Sequence, residues 1–463
     1  MKKIILFLAL FTATCFTAKA THLMGGEIVV GVDSTNKAYI VMTLYRDITP
    51  STATLSATQT LDLSLISNPS ASGISVQLSR VNIDTLPSFY PVERHIYTGT
   101  VQLAQNGKFR LQWSLCCRNH AIDNSTNPGS ESMTLYTEFT SYTSTNSASP
   151  VFLNAPVVSF PLDTLWNYNP LPFDVDGDSL HWSIDTPVST FPNYIVGYTT
   201  PPGNANGPLT MDSQTGQITW SPSQVGNYVI SILVEEFRSG VQIGEIRRDM
   251  QFIVIPDTVN MQLVLPNSLT VNNNGVGSTN LQGGNSSQLT FELTSSYSLA
   301  QLNMEATGDP FEIPGSDADF QVQTTTGPNI KGNFSWTPTI NDVRPLPYRL
   351  TIRAIDKKFA YDFTVLLNVK KSTVGIDENG LSIEGLSLYP NPNDGRVNLV
   401  LSQVANDKVT IEILNLKGQR VKEVTMDKTS LENGAELNID AAPGTYILRL
   451  KGEEYQSKVF VIQ

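Results

Sequence analysis

Short runs of alternating apolar and polar residues, cut by clusters of Gly, Pro, Asn and Asp, constrain this chain more than any other feature. Residues 28–30, 39–45, 109–113, 228–234 and 348–353 are such runs. Each is about as long as a strand, and a period of two puts alternate side chains on opposite faces of a sheet. Beyond the first twenty residues no stretch carries the spacing of a long amphipathic helix. Strands of this kind with turn residues between them predict packed all-β modules. A hydrophobic share of 40% in 463 residues is enough for several cores, and a charged share of 16% suits extracellular β-sandwiches rich in Ser, Thr, Asn and Val.

The formal net charge is −12. That balance opposes binding to nucleic acid or to anionic lipid, so no nucleic-acid partner is expected. Lys2 and Lys3 precede an apolar run from Ile4 to Phe11, and Ala18-Lys19-Ala20 fits a cleavage site. Residues 1–20 therefore read as a secretory signal peptide, too short to be a membrane anchor. No later segment is apolar enough to be a transmembrane span, which predicts a secreted or surface-tethered chain. Cys15 leaves with the signal, and Cys116 and Cys117 remain side by side. A vicinal disulfide, pairing with another chain and buried thiols are all open to them, whereas a long-range staple within the chain is not.

A diverged repeat divides the middle of the chain. Gly216-Gln217-Ile218-Thr219-Trp220-Ser221-Pro222 leads to Tyr228 and a long strand, and Gly332-Asn333-Phe334-Ser335-Trp336-Thr337-Pro338 leads to Tyr348 and another. Both resemble the Ig-like or cadherin-like modules of bacterial surface proteins, in which the Trp and Tyr fill the sandwich core. The expected organisation is signal 1–20, an N-terminal β-domain 21–150, a first Ig-like or cadherin-like sandwich 151–256, a second Ig-like sandwich 257–371, a polar linker 372–383 and a C-terminal unit 384–463.

That last unit opens on Leu388-Tyr389-Pro390-Asn391-Pro392, turns at Asn415-Leu416-Lys417-Gly418, and closes on Pro443-Gly444-Thr445-Tyr446 and a strand at Lys458–Gln463. It resembles the type A C-terminal sorting domain of the Bacteroidetes type IX (Por) secretion system. The resemblance implies a small β-sandwich, passage through the periplasm, a partner in the secretion machinery reached through residues 384–463, and a secreted or outer-surface location. A second resemblance covers residues 21–256. Its marks are His22-Leu23-Met24-Gly25-Gly26-Glu27, Tyr45-Arg46-Asp47, Cys116-Cys117-Arg118-Asn119, Asp174–Leu180, Val234–Gly240 and Arg247-Arg248-Asp249. In this order they resemble the N-terminal region of large gliding-motility-type surface proteins, without most of the further cysteines of that group.

Chemistry-bearing residues are sparse. Asp174, Asp176 and Asp178 alternate around Gly177, a spacing at which carboxylates can wrap Ca²⁺; a plain Asx-turn is the other reading. Gly177-Asp178-Ser179-Leu180 spells a lipase motif, but no α/β context surrounds it and the Asp-x-x-His that follows overlaps it. His22, His95, His120 and His181 form no HExxH or helical pair. Cys117 and His120 lie on one loop without further sign of a nucleophile–base pair. Arg247, Arg248 and Asp249 are expected to pair with Glu235 and Glu236 on a solvated hairpin face. Phe191, Tyr194 and Tyr198 in a Pro- and Gly-rich loop are the best candidates for a sugar-stacking platform. The functional expectation is a structural or adhesive surface protein with no catalytic activity. The alternative is a carbohydrate-binding surface protein that assists glycan degradation, so an extracellular glycan or another surface protein is the expected partner.

Overall fold

The computed structural model describes residues 23–48, 54–67, 73–86, 90–142, 145–156, 159–296, 302–324, 329–371, 386–401, 407–415, 417–451 and 456–463. The expected signal peptide, linker and His22 lie outside these residues. The chain divides into two compact units, residues 1–371 and 372–463. Nearly every element in both is a strand, as the alternating pattern predicts.

The N-terminal strands obey the period of two closely. In Lys37–Asp47 the side chains of Ala38, Ile40, Met42 and Leu44 are buried while Tyr39 and Val41 face outward. The inward set joins Ile28, Val30, Leu61, Leu63, Leu78, Tyr97, Leu111, Trp113 and Leu135 in one core. Pairing runs antiparallel through Ser132–Ser141, Gly107–Cys116, Thr58–Leu65, Ile74–Thr85, Val92–Gln102, Lys37–Asp47 and Leu23–Val32. Both ends of that series then pair with one further strand, Val241–Ile255. Eight antiparallel strands thus make a closed circuit, which leaves no open edge within it.

The closing strand belongs to the next module. Residue 150, expected as a domain boundary, is therefore not a seam in the sheet: strands from both sides of it share one hydrogen-bonded network. Gly25 and Gly26 make the closure possible. A Cβ on Gly25 would lie 2.0 Å from the Asp249 carbonyl oxygen, so only glycine admits so close an approach there.

The second module sets the strands Ser179–Asp185, Gly226–Arg238 and Val241–Ile255 against a small sheet of Trp166–Tyr168, Ile218–Trp220 and Thr210–Met211. The third packs a four-stranded sheet on a five-stranded one. The two repeats occupy equivalent places. Trp220 meets Tyr228 edge-on at 5.7 Å, and Trp336 meets Tyr348 edge-on at 5.0 Å. All four rings are buried. The second and third modules are also joined directly: Trp166 Nε1 donates to the Ala360 carbonyl at 2.7 Å, and Phe359 packs into the core of the second module.

The C-terminal unit packs a three-stranded sheet against a four-stranded one, around Leu399, Ile411, Ile413, Leu448 and Phe460. Leu416 of its expected turn is outside the described residues.

Candidate metal centre

The Asp174–Asp178 turn follows the short strand Pro172–Phe173 and leads into Ser179–Asp185. Gly177 takes a φ of 80°, the left-handed conformation that the tight turn requires. Cross-strand register sets Leu180 opposite Glu236, which brings the turn against the end of Gly226–Arg238. An irregularity in pairing falls between Glu236 and Phe237, a place where bulges redirect side chains. Gly244, opposite Glu236 on the other side, leaves room for its carboxylate: a Cβ there would lie 2.7 Å from Glu236 Oε2.

The carboxylates that converge are Asp174, Asp178 and Glu236, with one oxygen from each within 4.8 Å of the others. Oxygens bound to a common Ca²⁺ at about 2.3–2.6 Å stand that far apart. Asp174 Oδ1 accepts from the Asp178 backbone N–H at 2.9 Å, while Asp174 Oδ2 and Glu236 Oε1 are buried without a hydrogen-bond partner among the described residues. Burial, with the Asp178 and Asp176 charges adding to it, pushes the Asp174 carboxyl up to about 6. Burial and the neighbouring Asp174 and Asp178 carboxylates push Glu236 up to about 9. Asp178 moves the other way, held below its usual value by the Arg238 guanidinium, whose Nε lies 2.9 Å from Oδ1. Two buried acids with raised pKa values and free oxygens can be neutralised by protons or by a cation, and the oxygen-only donor set fits a hard cation.

Asp176, expected as a ligand, stands outside this group. Its Oδ2 accepts from the Ala148 N–H at 2.8 Å and from Arg238 Nη2 at 3.2 Å. The carboxylates that converge are thus Asp174, Asp178 and Glu236, with Asp176 beside them and not among them.

Other expected residues fall elsewhere. Ser179 is exposed at the start of its strand, and His181 Nδ1 lies 3.1 Å from Glu235 Oε2 across the strand pair. His95 is buried beside Glu93, and His120 is exposed. Cys116 and Cys117 form a vicinal disulfide. The Phe191 loop is no stacking platform. Phe191 is covered by the Arg110 guanidinium at 4.0 Å and by Tyr136, Tyr198 packs on the Ile122, Ile195 and Val229 cluster, and Tyr194 alone is well exposed.

The Arg247-Arg248-Asp249 segment is the largest departure. All three side chains are buried, and none faces solvent on a hairpin. Arg248 forks onto Glu27 at 2.9 and 3.2 Å, Arg118 forks onto Asp249 at 2.6 and 2.9 Å, and Arg247 reaches Asp185 at 2.6 Å. Glu27 also accepts from the Tyr45 hydroxyl at 3.1 Å. Four of the separate sequence marks in residues 21–256 therefore meet at one place, where the closing strand enters the circuit.

Comparison with known proteins adds the following. Residues 387–463 match the secretion system C-terminal sorting domain. No curated protein matches the chain. Among solved structures, a titin fragment is similar at 10% identity and a TM-score of 0.18, over 48% of this chain and all of that one. An endo-fucoidan hydrolase of glycoside hydrolase family 107 is similar at 15% identity and a TM-score of 0.15, over 66% of this chain and 40% of that one. Among the described residues, no helix is long and apolar enough to cross a membrane. With its sorting domain at residues 387–463, the chain is a Bacteroidetes surface or secreted protein exported by the type IX secretion system.

Proposed function

We propose that this protein is a non-catalytic structural or adhesive component of the cell surface. It acts as a stiff β-module array that a cation at Asp174, Asp178 and Glu236 rigidifies further. The observation that carries the reading is the buried join between modules. Strand Val241–Ile255 belongs to two modules at once, and the Arg248–Glu27 and Arg118–Asp249 pairs are sealed at that join. Modules joined by a shared strand and buried charge pairs resist bending, whereas separate domains on flexible linkers do not. Such a body suits bearing load or holding a binding surface away from the membrane.

The test uses cells lacking the protein and the purified mature chain. Loss of surface attachment or of surface-layer integrity, together with no turnover on ester, glycoside or peptide substrates, is the expected result. Turnover that survives purification and disappears with a single substitution would overturn it.

A further inference from the structure

We infer that a cleft between the second and third modules binds a neutral oligosaccharide. The cleft has a volume of ≈ 710 Å³, inside the range of about 300–1,000 Å³ usual for small-ligand sites. None of the carboxylate-cluster residues lines it, and the inference does not depend on the structural reading above.

The lining sets the chemistry. Asn167, Gln217, Asn273, Thr219 and Tyr361 line it as amide- and hydroxyl-bearing residues, with Leu165 and Met211 as apolar ones. Among the described residues no Lys, Arg or His lines the cleft, so none of them would neutralise a phosphate, sulfate or uronate there. Its one carboxylate, Asp212, is engaged by its own loop: Oδ1 accepts from the Gln214 and Thr215 N–H groups and from the Thr215 hydroxyl at 2.8–3.0 Å. That leaves Asp212 Oδ2 as the one carboxylate oxygen outside these bonds, far short of the about six to eight oxygens that Ca²⁺ takes. A ligand with many hydroxyls, no charge and apolar C–H faces matches the set.

Gln217 supplies a separate sign. The side chain is 2% exposed, and its Oε1 has no hydrogen-bond partner among the described residues. Its Nε2 donates to the Asn274 carbonyl at 3.1 Å, which fixes the amide and leaves the acceptor waiting for a donor. A buried acceptor left unmade is unfavourable, and a small rotation of the Gln217 amide towards the cleft would let a ligand hydroxyl satisfy it. Around it Thr219 donates to Asn167 Oδ1 at 3.1 Å, and Asn167 Nδ2 donates to the Tyr361 hydroxyl at 3.0 Å. The floor is thus a linked amide–hydroxyl network that spans both modules.

The cleft is held open in advance of any ligand. Asn169 N–H donates to Asp362 Oδ2 at 2.9 Å beneath it, and Asp362 is paired with Arg353 at 2.7 Å in full burial. Preformed walls reduce the ordering that binding would otherwise require. Leu165, 57% exposed, offers the C–H face of a sugar an apolar contact.

The mature full-length chain is screened against short neutral oligosaccharides, with sulfated and uronic-acid oligosaccharides and unstructured peptides as parallel arms. Saturation-transfer NMR and calorimetry read binding. A neutral oligosaccharide is expected to bind, and Asn273→Trp, which fills the cleft from an exposed loop, should weaken it by about tenfold or more without changing the melting temperature. Gln217→Ala should weaken it likewise. Binding confined to the charged sugars or the peptides would overturn the inference. So would neutral-sugar binding that Asn273→Trp leaves intact, or no binding in any arm.

Discussion

Glu236 shows how a single acid can be read from strand parity and still be overlooked. Ile230, Ile232 and Val234 point into the core, and two residues on Glu236 points the same way. An acid on the apolar face needs a partner, and the Asp174–Asp178 turn supplies like charge instead. Calcium would turn that repulsion into ligation. Binding that favours the folded state adds RT ln(1 + [L]/Kd), about 2.7 kcal/mol at a hundredfold excess over Kd. Millimolar calcium should therefore raise the melting temperature. Glu236→Gln and Asp178→Asn should abolish the rise, while Asp176→Ala should keep most of it; loss in Asp176→Ala with retention in Glu236→Gln would restore the aspartate-only reading. Differential scanning calorimetry with and without chelator decides this. The same logic of inward polar groups applies to Glu27 and Arg248. Removing one member of a buried pair leaves the other unpaired, at a cost of about 3–5 kcal/mol. Glu27→Gln should lose stability on that scale in urea unfolding, and a loss below about 1 kcal/mol would place the pair among the solvated ones.

His95 gives a pH dependence of known sign. Burial lowers its pKa below the ordinary 6.5, Glu93 offsets this in part, and Arg46 and Arg80 add to the lowering. The unfolded chain then binds more protons than the folded chain as pH drops below 6.5, so this contribution is present above 6.5 and fades below it. Wild-type stability should fall from about pH 7 towards pH 5 more steeply than that of His95→Gln. Equal slopes in the two proteins, from urea titrations across that window, would show that His95 does not carry the effect.

At the scale of elements, the repeat was the most legible part. Each W-x-P corner feeds a strand that begins at Tyr, and in both modules Trp and Tyr meet edge-on in the core. Trp220→Ala should cost about 3–5 kcal/mol, as large core truncations do. Its core includes the shared strand, so the midpoint of the cooperative transition followed by near-ultraviolet circular dichroism should drop; an unchanged midpoint would mean the ring is not a core element. The alternating pattern also predicts which residues of Lys37–Asp47 turn inward. What the pattern did not disclose is partnership. Arg247, Arg248 and Asp249 carry charge, and charge next to Glu235 and Glu236 suggests a local hairpin pair on the surface. Their real partners, Asp185, Glu27 and Arg118, are far away in sequence, and only closure of the sheet brings them together. The converging carboxylates follow the same rule: Asp174 and Asp178 are legible as a local turn, whereas Glu236 enters through strand register. The Gln217 cleft leaves no local signature, since amides and hydroxyls at loop ends read as ordinary turn chemistry.

Across the whole molecule, the closed circuit makes a prediction about where the chain can be cut. Composition shifts at Ser147–Pro150 suggest a boundary, and a fragment of residues 21–150 holds seven of the eight strands of the circuit. It lacks Val241–Ile255, which pairs with Leu23–Val32 at Gly25 and Gly26 and with Ser132–Ser141 at Glu138 and Thr137. Without that strand two edges stand open, and Glu27 and Arg118 lose the charges that neutralise them in the interior. The fragment 21–150 should therefore be insoluble, or should lack a cooperative unfolding transition, while 21–371 folds and unfolds cooperatively. Adding residues 151–256 in trans should rescue the shorter fragment, because the missing strand arrives with its two charged side chains. A soluble fragment 21–150 with dispersed amide resonances and a cooperative melt would mean that the first module closes without its neighbour. The shared strand would then be a docking contact and not part of one folding unit.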